Sequence, residues 1–379
     1  MGIKQLAKLI SDYAPRAHKE QDVKAFFGRR IALDASMSIY QFLVAVRTAD
    51  SANLTNEAGE VTSHLSGVFY RTIKLLELGI KPVYVFDGKP PEMKASELAK
   101  RRARRAEDEA AAAQAKEEGD AERFAKHARR VNKVTDETMQ SVKRLLRLMG
   151  MPVVEAPAEA EAQCAALATA DLVYASASED MDAITFGTPI LIRNLFGSLS
   201  SAAEKKARKP SEFYLQLALE DLGVSMSQFI DVCILCGCDY TSTIPKIGPR
   251  TALNLVKQHG DIEGVLRHLE STKHVVPDDF DPAGARRIFQ HPHVLPAEEV
   301  APLLEWKAPD EEGIMQFLVK ENNFNESMVR KAIERMQKAS RSGAANQSRL
   351  DAFFKAKPAH TQPVDEKTKV RRPLKQAKR

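Results

Sequence analysis

Long hydrophobic runs are missing from this 379-residue chain. None approaches the ~18 apolar residues of a membrane-spanning helix, and no secretory signal precedes the first core element. Neither an integral membrane protein nor a secreted one is expected. Cysteine is scarce, with only Cys164, Cys233, Cys236 and Cys238, and three of these crowd into C-I-L-C-G-C. That is no disulfide framework for a chain of this length, and it points to a reducing compartment. No second pair follows at ligand spacing, so the run reads as a buried helix and not as a zinc site. Met1-Gly2 could open a myristoylation signal, but Leu6 stands where Ser or Thr is required.

What is present can build a substantial core. Hydrophobic residues make up 44% of the chain, enough for one large domain or two. The formal charge of +5 is unevenly spread: Lys355 to Arg379 carry nine basic residues against two acids, which leaves the first 354 residues at −2. A near-neutral body that binds nucleic acid must segregate its charges, basic on one face and acidic elsewhere.

Apolar runs of strand length occur at 31–34, 82–86 and 172–177, and each ends at or close to an aspartate. Helical spacing fills the gaps, first over Ser36–Val46. After a loop at 50–60 it returns on the face Leu65, Val68, Phe69, Thr72, Ile73 and Leu76, which Gly79 stops. Strand, helices, strand is the pattern of a parallel sheet, whose ligand site lies at the carboxyl ends of its strands. Asp34, Asp87, Asp180 and Asp182 are therefore expected to converge. Residues 90–134 are charged, Ala-rich and poor in large apolar side chains, so they should be helical but loosely attached. Lys94 and Arg101, seven apart, share a face there. Asp136 is expected to cap a helix running to Met149, followed by a strand at Met151–Glu155.

The stretch from Glu155 to Asp182 joins two acidic pairs. Pro157 suits the first turn of a helix, with Glu159 and Glu161 close behind it. Two apart on a helix, these glutamates project roughly 200° apart, which hints at a site wider than one cation. Asp180 and Asp182, two apart in an extended segment, point the same way. Taken alone, the stretch reads equally well as a capped helix and a solvated acidic loop. Downstream, a buried helix from Phe229 to Cys238 leads to Asp239. The run T-S-T-I-P-K-I-G-P-R-T-A then offers a Gly-Pro turn between helices, a sequence-independent phosphate binder with Gly248 allowing close approach. Residues 260–335 form further helices around Trp306, taken as a core residue. In the tail, Gln347, Leu350, Phe353 and Phe354 make an apolar island suited to docking in a partner's pocket. The basic segment beyond it reads as a nuclear-import or nucleic-acid-contacting stretch.

Asp34, Asp87, Glu159, Glu161, Asp180, Asp182 and Asp239 can share a small site only if cations neutralise them. Oxygen donors without His or Cys indicate Mg²⁺ or Mn²⁺, and two such ions about 4 Å apart suit phosphodiester hydrolysis. A calcium loop is disfavoured because the acids come from distant segments.

The motifs V-Y-V-F-D-G-K-P-P, E-A-E-A-Q-C, S-E-D-M-D, G-C-D-Y, I-G-P-R-T-A and Q-S-R-L-D-A-F-F occur in this order. Together they resemble the eukaryotic flap endonucleases, structure-specific 5′ nucleases of the xeroderma-group-G family, along nearly the whole chain. The resemblance implies an α/β fold: a central, mostly parallel sheet flanked by helices, PIN-like, with a helical arch at 90–134 and a helix-hairpin-helix (H2TH) element at about 236–256. It divides the chain into an N-terminal nuclease region (1–105) and an internal one (123–254). C-terminal helices (255–340), a sliding-clamp box (346–354) and a disordered basic tail (355–379) follow.

The resemblance also assigns roles. Asp34, Asp87, Glu159 and Glu161 hold one Mg²⁺ (or Mn²⁺), with Asp180, Asp182 and Asp239 nearer a second. Lys94 and Arg101 steer the scissile phosphate, and Tyr40 stacks on a base beside the cut. Arg47, Arg71, Glu159, Gly237, Asp239 and Gly248 belong to the DNA-binding surface, and the hairpin holds a potassium ion. The tail box binds the trimeric clamp, proliferating cell nuclear antigen. A monomer in the nucleoplasm and nucleolus is implied, with the mitochondrion open as a second compartment. The implied activity is 5′ flap cleavage and 5′–3′ exonuclease action in Okazaki-fragment maturation and base-excision repair. The alternatives are a non-catalytic clamp-bound junction adaptor and a generic 5′ exonuclease or junction resolvase. Ala58, Asn322 and Met328 depart from the family pattern at positions tied to 3′-flap selectivity.

Overall fold

Alternate residues of the strand at 30–34 face opposite ways and both sets are buried: Ile31 and Leu33 join one apolar cluster, Ala32 another. The neighbouring strand repeats this, with Tyr84 and Phe86 on the first face and Val83 and Val85 on the second. Burial on both faces is the mark of a sheet covered by helices on each side. The computed structural model describes residues 2–40, 63–128, 135–197, 209–271 and 275–345.

The sheet has seven strands among these residues: β1 His18–Glu20, β2 Arg30–Asp34, β3 Lys81–Phe86, β4 Val153–Glu155, β5 Ala175–Ala177, β6 Ile190–Arg193 and β7 Ser211–Tyr214. Their order is β1-β7-β6-β5-β2-β3-β4, and only β7 runs antiparallel to its neighbours. The mostly parallel sheet is as expected. β2 lies between β3 and β5, so the three strands expected to end at aspartates are adjacent.

One face carries the helices Ser63–Glu77, Asp136–Leu148 and Glu326–Ala345, and the other carries Ala160–Thr169. A second core gathers the helices Leu6–Tyr13, Leu215–Leu222, Met226–Cys236, Pro249–His259, Ile262–Ser271 and Pro282–Gln290. Asp231 is buried within it. It accepts from Arg286 and from the Ile262 N–H, tying three of these helices together.

Several local expectations need correction. Thr135, not Asp136, caps its helix: the Thr135 hydroxyl accepts from the Thr138 N–H, and Asp136 is the first helical residue. The strands expected at 151–155 and 172–177 are only three residues each, because turns precede them. Trp306 is half-buried at the sheet margin, where its Nε1–H donates to the Pro82 carbonyl at 3.1 Å. As expected, residues 95–117 and 121–128 are helical, and the two helices pack on each other. Ala112 and Ala115 are buried, and His127 Nδ1 lies 2.7 Å from Asp108. Small side chains thus let this pair pack without large apolar residues. Cys164, Cys233, Cys236 and Cys238 are all free, and the first three are buried. No helix among the described residues is long and apolar enough to cross a membrane.

Candidate active site

Asp34 ends β2 and is 3% exposed. The Met37 N–H donates to its Oδ1 at 3.0 Å and the Ser178 hydroxyl to its Oδ2 at 3.2 Å. Burial, reinforced by the neighbouring Asp87 carboxylate, pushes its pKa up to about 7. Asp87 follows β3 and accepts from the Ala160 N–H at 2.8 Å, at the start of the helix Ala160–Thr169. An anion is favoured there.

Glu159 is the residue that caps this helix, and its backbone is extended (φ −80°, ψ 130°). Pro157 therefore lies ahead of the helix, not in its first turn. Only Glu161 is helical, so the 200° separation expected from sequence does not apply. One oxygen each from Asp87, Glu159 and Glu161 lies within 4.8 Å of the others.

The second pair is also arranged differently from the extended geometry expected. Beyond β5 the chain bends. The Asp180 N–H donates to the Ser178 hydroxyl at 3.1 Å and the Asp182 N–H to Asp180 Oδ1 at 3.3 Å. Asp182 opens the short helix Asp182–Thr185. The N-terminal segment reaches this pair as well, with the Ile3 N–H donating to Asp182 Oδ1 at 2.8 Å. At Gly2, whose φ is +69°, an added Cβ would lie 1.4 Å from Asp180 Oδ1. Sequence reasoning missed Gly2 and Ile3, because no local pattern links them to a segment 180 residues away.

Burial raises the pKa of Glu161, assisted by Asp34, Asp87 and Asp180. It raises that of Asp182 too, assisted by Asp180 and Asp239. Asp34, Asp87, Glu159, Glu161, Asp180, Asp182 and Asp239 thus act on one another as a single cluster. Two cations of the protein partly offset it. Lys94 Nζ is hydrogen-bonded to Glu159 and lies 3.6 Å from Asp239 Oδ2. Arg101 Nη2 is 2.7 Å from the same oxygen, and its Nε donates to Glu97 at 3.2 Å. Burial alone would lower the Lys94 pKa, but Glu159, Glu161 and Asp239 together lift it above its ordinary value, so it stays charged. The shared face of Lys94 and Arg101 is therefore aimed at Asp239.

Tyr240 adds an observation that bears on metal fit. Its hydroxyl is buried without a hydrogen-bond partner among the described residues. Burial and the fields of Glu159, Asp182, Glu161 and Asp239 all disfavour its ionisation. An orphaned hydroxyl amid oxygen-only donors fits hydrated, hard divalent cations and no soft metal.

The remaining candidates are more dispersed. Tyr40 is half-buried in the helical turns after β2, and Arg71 is half-buried with its guanidinium 6.0 Å from the Phe196 ring centre. Gly237 is buried, turns the chain at φ +102°, and accepts from the Lys4 N–H at 3.4 Å. Gly248 caps the helix Pro249–His259, and an added Cβ there would meet nothing within 4 Å, so the turn is open to a ligand. Asn322 Nδ2 donates to the Phe317 carbonyl at 2.8 Å, and Met328 is 57% exposed. Arg47, the loop with Glu57, Ala58 and Glu60, and the tail residues Gln347, Leu350, Phe353 and Phe354 lie outside the described residues, as do 129–134.

Models of the XPG N-terminal domain and the XPG I-region match residues 1–108 and 150–239. Flap endonuclease 1-A of Oryza sativa subsp. japonica is 51% identical over 375 residues, covering 99% of this chain and 96% of the relative. The chain belongs to the flap endonuclease 1 family. Among solved structures, flap endonuclease-1 from Methanococcus jannaschii is 31% identical with a TM-score of 0.66, over 90% of this chain and 99% of that one. The Holliday junction-resolving enzyme GEN1, in complex with product DNA and Mg²⁺, shares the fold at 22% identity (TM-score 0.60, 88% of this chain, 78% of that one). As a flap endonuclease, the chain is a structure-specific nuclease that hydrolyses phosphodiester bonds. Its acidic cluster suits the divalent metal on which the family depends.

Proposed function

We propose that this flap endonuclease removes 5′ flaps from branched duplex DNA at the cluster around Asp87, Glu159 and Glu161, and trims 5′ ends at nicks and gaps. The observation that carries this reading is the meeting of seven carboxylates with Lys94 and Arg101 beyond the ends of β3, β2 and β5. Asp34, Asp87, Glu159 and Glu161 would hold one Mg²⁺, or Mn²⁺ in its place, with Asp180, Asp182 and Asp239 nearer a second. Such ions supply a nucleophile at neutral pH and charge for the leaving oxygen.

The protein's own residues do the rest. With the carboxylates neutralised, Lys94 and Arg101 are free to turn from Glu159 and Asp239 to the scissile phosphate and stabilise its developing charge. Tyr40 stacks on a base beside the cut, and Arg47 and Arg71 hold the DNA. The open turn at Gly248 presents backbone N–H groups to duplex phosphates, with a potassium ion at the hairpin. Asn322 and Met328 supply no positive charge for a 3′ flap. Through Gln347, Leu350, Phe353 and Phe354 the monomer docks on the trimeric sliding clamp, proliferating cell nuclear antigen. The basic segment after them directs it to the nucleus, where it serves Okazaki-fragment maturation and base-excision repair.

Product lengths on a 5′ flap, a nick and a four-way junction test the substrate assignment. Flap cleavage should dominate, and equal or faster resolution of the four-way junction would overturn it. Phe353→Ala with Phe354→Ala should abolish stimulation by the clamp while intrinsic cleavage is unchanged. Undiminished stimulation would rule out the docking role.

A further inference from the structure

A cavity of about 500 Å³ opens beside Glu159, on the flank of the acidic cluster. Lys89 and Pro91 line it, in the segment that leads into the helix Ala95–Glu117. Pro157, Phe186, His291 and His293 also line it. We propose, on the flap-endonuclease reading above, that this cavity seats the base of the nucleotide on the 5′ side of the cut bond.

The walls are pre-formed. The Gly88 N–H donates to the Ala158 carbonyl at 2.7 Å and the Lys89 N–H to the Pro157 carbonyl at 3.1 Å, so the two loops are stitched together. A Cβ on Gly88 would lie 2.1 Å from the Ala156 carbonyl, so only glycine allows this approach. Phe186 is held by Phe289, with ring centres 5.0 Å apart.

The chemistry of the lining selects the occupant. Proline faces, a phenyl ring and two imidazoles offer flat apolar surface with a few polar edges, the character of a stacking site for a nucleobase. The volume lies within the range of small-molecule pockets. A bare anion is disfavoured, because the lining carboxylates Glu92 and Glu159 oppose the single Lys89 ammonium. That ammonium suits the phosphate of the seated nucleotide. Glu159 lines both the cavity and the acidic cluster, so a nucleotide here is continuous with the bond at the ions. Tyr40 is not part of this lining, which leaves the two bases flanking the cut with separate seats. Stacking reads no base edge, in keeping with an enzyme selective for structure and not sequence.

The test is single-turnover cleavage of 5′-flap DNA carrying either a normal base or an abasic tetrahydrofuran residue immediately 5′ of the cut. Wild type is compared with His291→Ala/His293→Ala, whose side chains are exposed and outside the catalytic cluster. Wild type should cleave the base-bearing flap about five-fold or more faster at subsaturating enzyme. The double variant should lose that preference while cleaving the abasic flap at the wild-type rate. A wild-type ratio of one, an unchanged ratio in the variant, or an equal loss on both substrates would overturn the proposal while leaving flap cleavage itself standing. Absence of flap cleavage by wild type would overturn the functional reading along with it.

Discussion

Replacing Asp34 by Asn should stabilise the ion-free protein while destroying its activity. Asp34 is buried, and its pKa rises from an ordinary 3.8 to about 7. Between those values the folded state holds a proton that the unfolded chain releases, so stability falls as pH rises through that window. A separation of about three pH units corresponds to ~4 kcal/mol at pH 8. Asn has the same shape and no charge. Its amide oxygen can keep the Met37 N–H, and its NH₂ can donate to the Ser178 hydroxyl. Asp34→Asn should therefore remove most of that cost at pH 8 and little at pH 4. For a folded body of about 340 residues, 4 kcal/mol is a rise in melting temperature of roughly 5 °C. The assay is thermal unfolding in EDTA at pH 4, 6 and 8, repeated with Mg²⁺. Wild type should gain stability from Mg²⁺ at pH 8, and the variant much less. An equal shift at all three pH values, or no gain at pH 8, would refute the electrostatic reasoning.

Two further outcomes are expected. Lys94→Ala should slow single-turnover flap cleavage by about 10²-fold or more with flap affinity nearly intact, because the ammonium acts on charge that develops in the transition state; a comparable loss in affinity and none in rate would contradict this. Gly2→Ala should push the N-terminal segment off Asp180, where its Cβ would sit 1.4 Å from the carboxylate. The Mg²⁺ concentration for half-maximal cleavage should rise about ten-fold or more; an unaltered Mg²⁺ titration would remove Gly2 from the site.

The parts of the site legible in the sequence were those written in local pattern. Asp34 and Asp87 stand at the ends of apolar runs, so periodicity alone marked them as strand-end acids, and the adjacency of β5, β2 and β3 brings them together. Lys94 and Arg101 were visible as one helix face. The details that failed depend on backbone choices that side-chain types do not dictate. Glu159 looked helical because Pro157 favours a first turn, yet the chain bends at Pro157 and Ala158 and the helix starts only after the extended Glu159. Asp180 and Asp182 looked extended because an apolar run preceded them, yet a bend and a short helix follow β5. Contacts across the chain had no local signal at all. The approach of Gly2 to Asp180 and the pairing of Lys94 with Glu159 are products of the assembled fold.

The central claim is that the acidic cluster cuts DNA through divalent ions, and Asp180→Ala tests it most directly. Cleavage of a 5′-flap substrate and binding of the same DNA should be measured for both proteins across a Mg²⁺ titration. The account predicts that cleavage by the variant is lost at every Mg²⁺ concentration while flap binding persists. Cleavage by Asp180→Ala at the wild-type rate would contradict it.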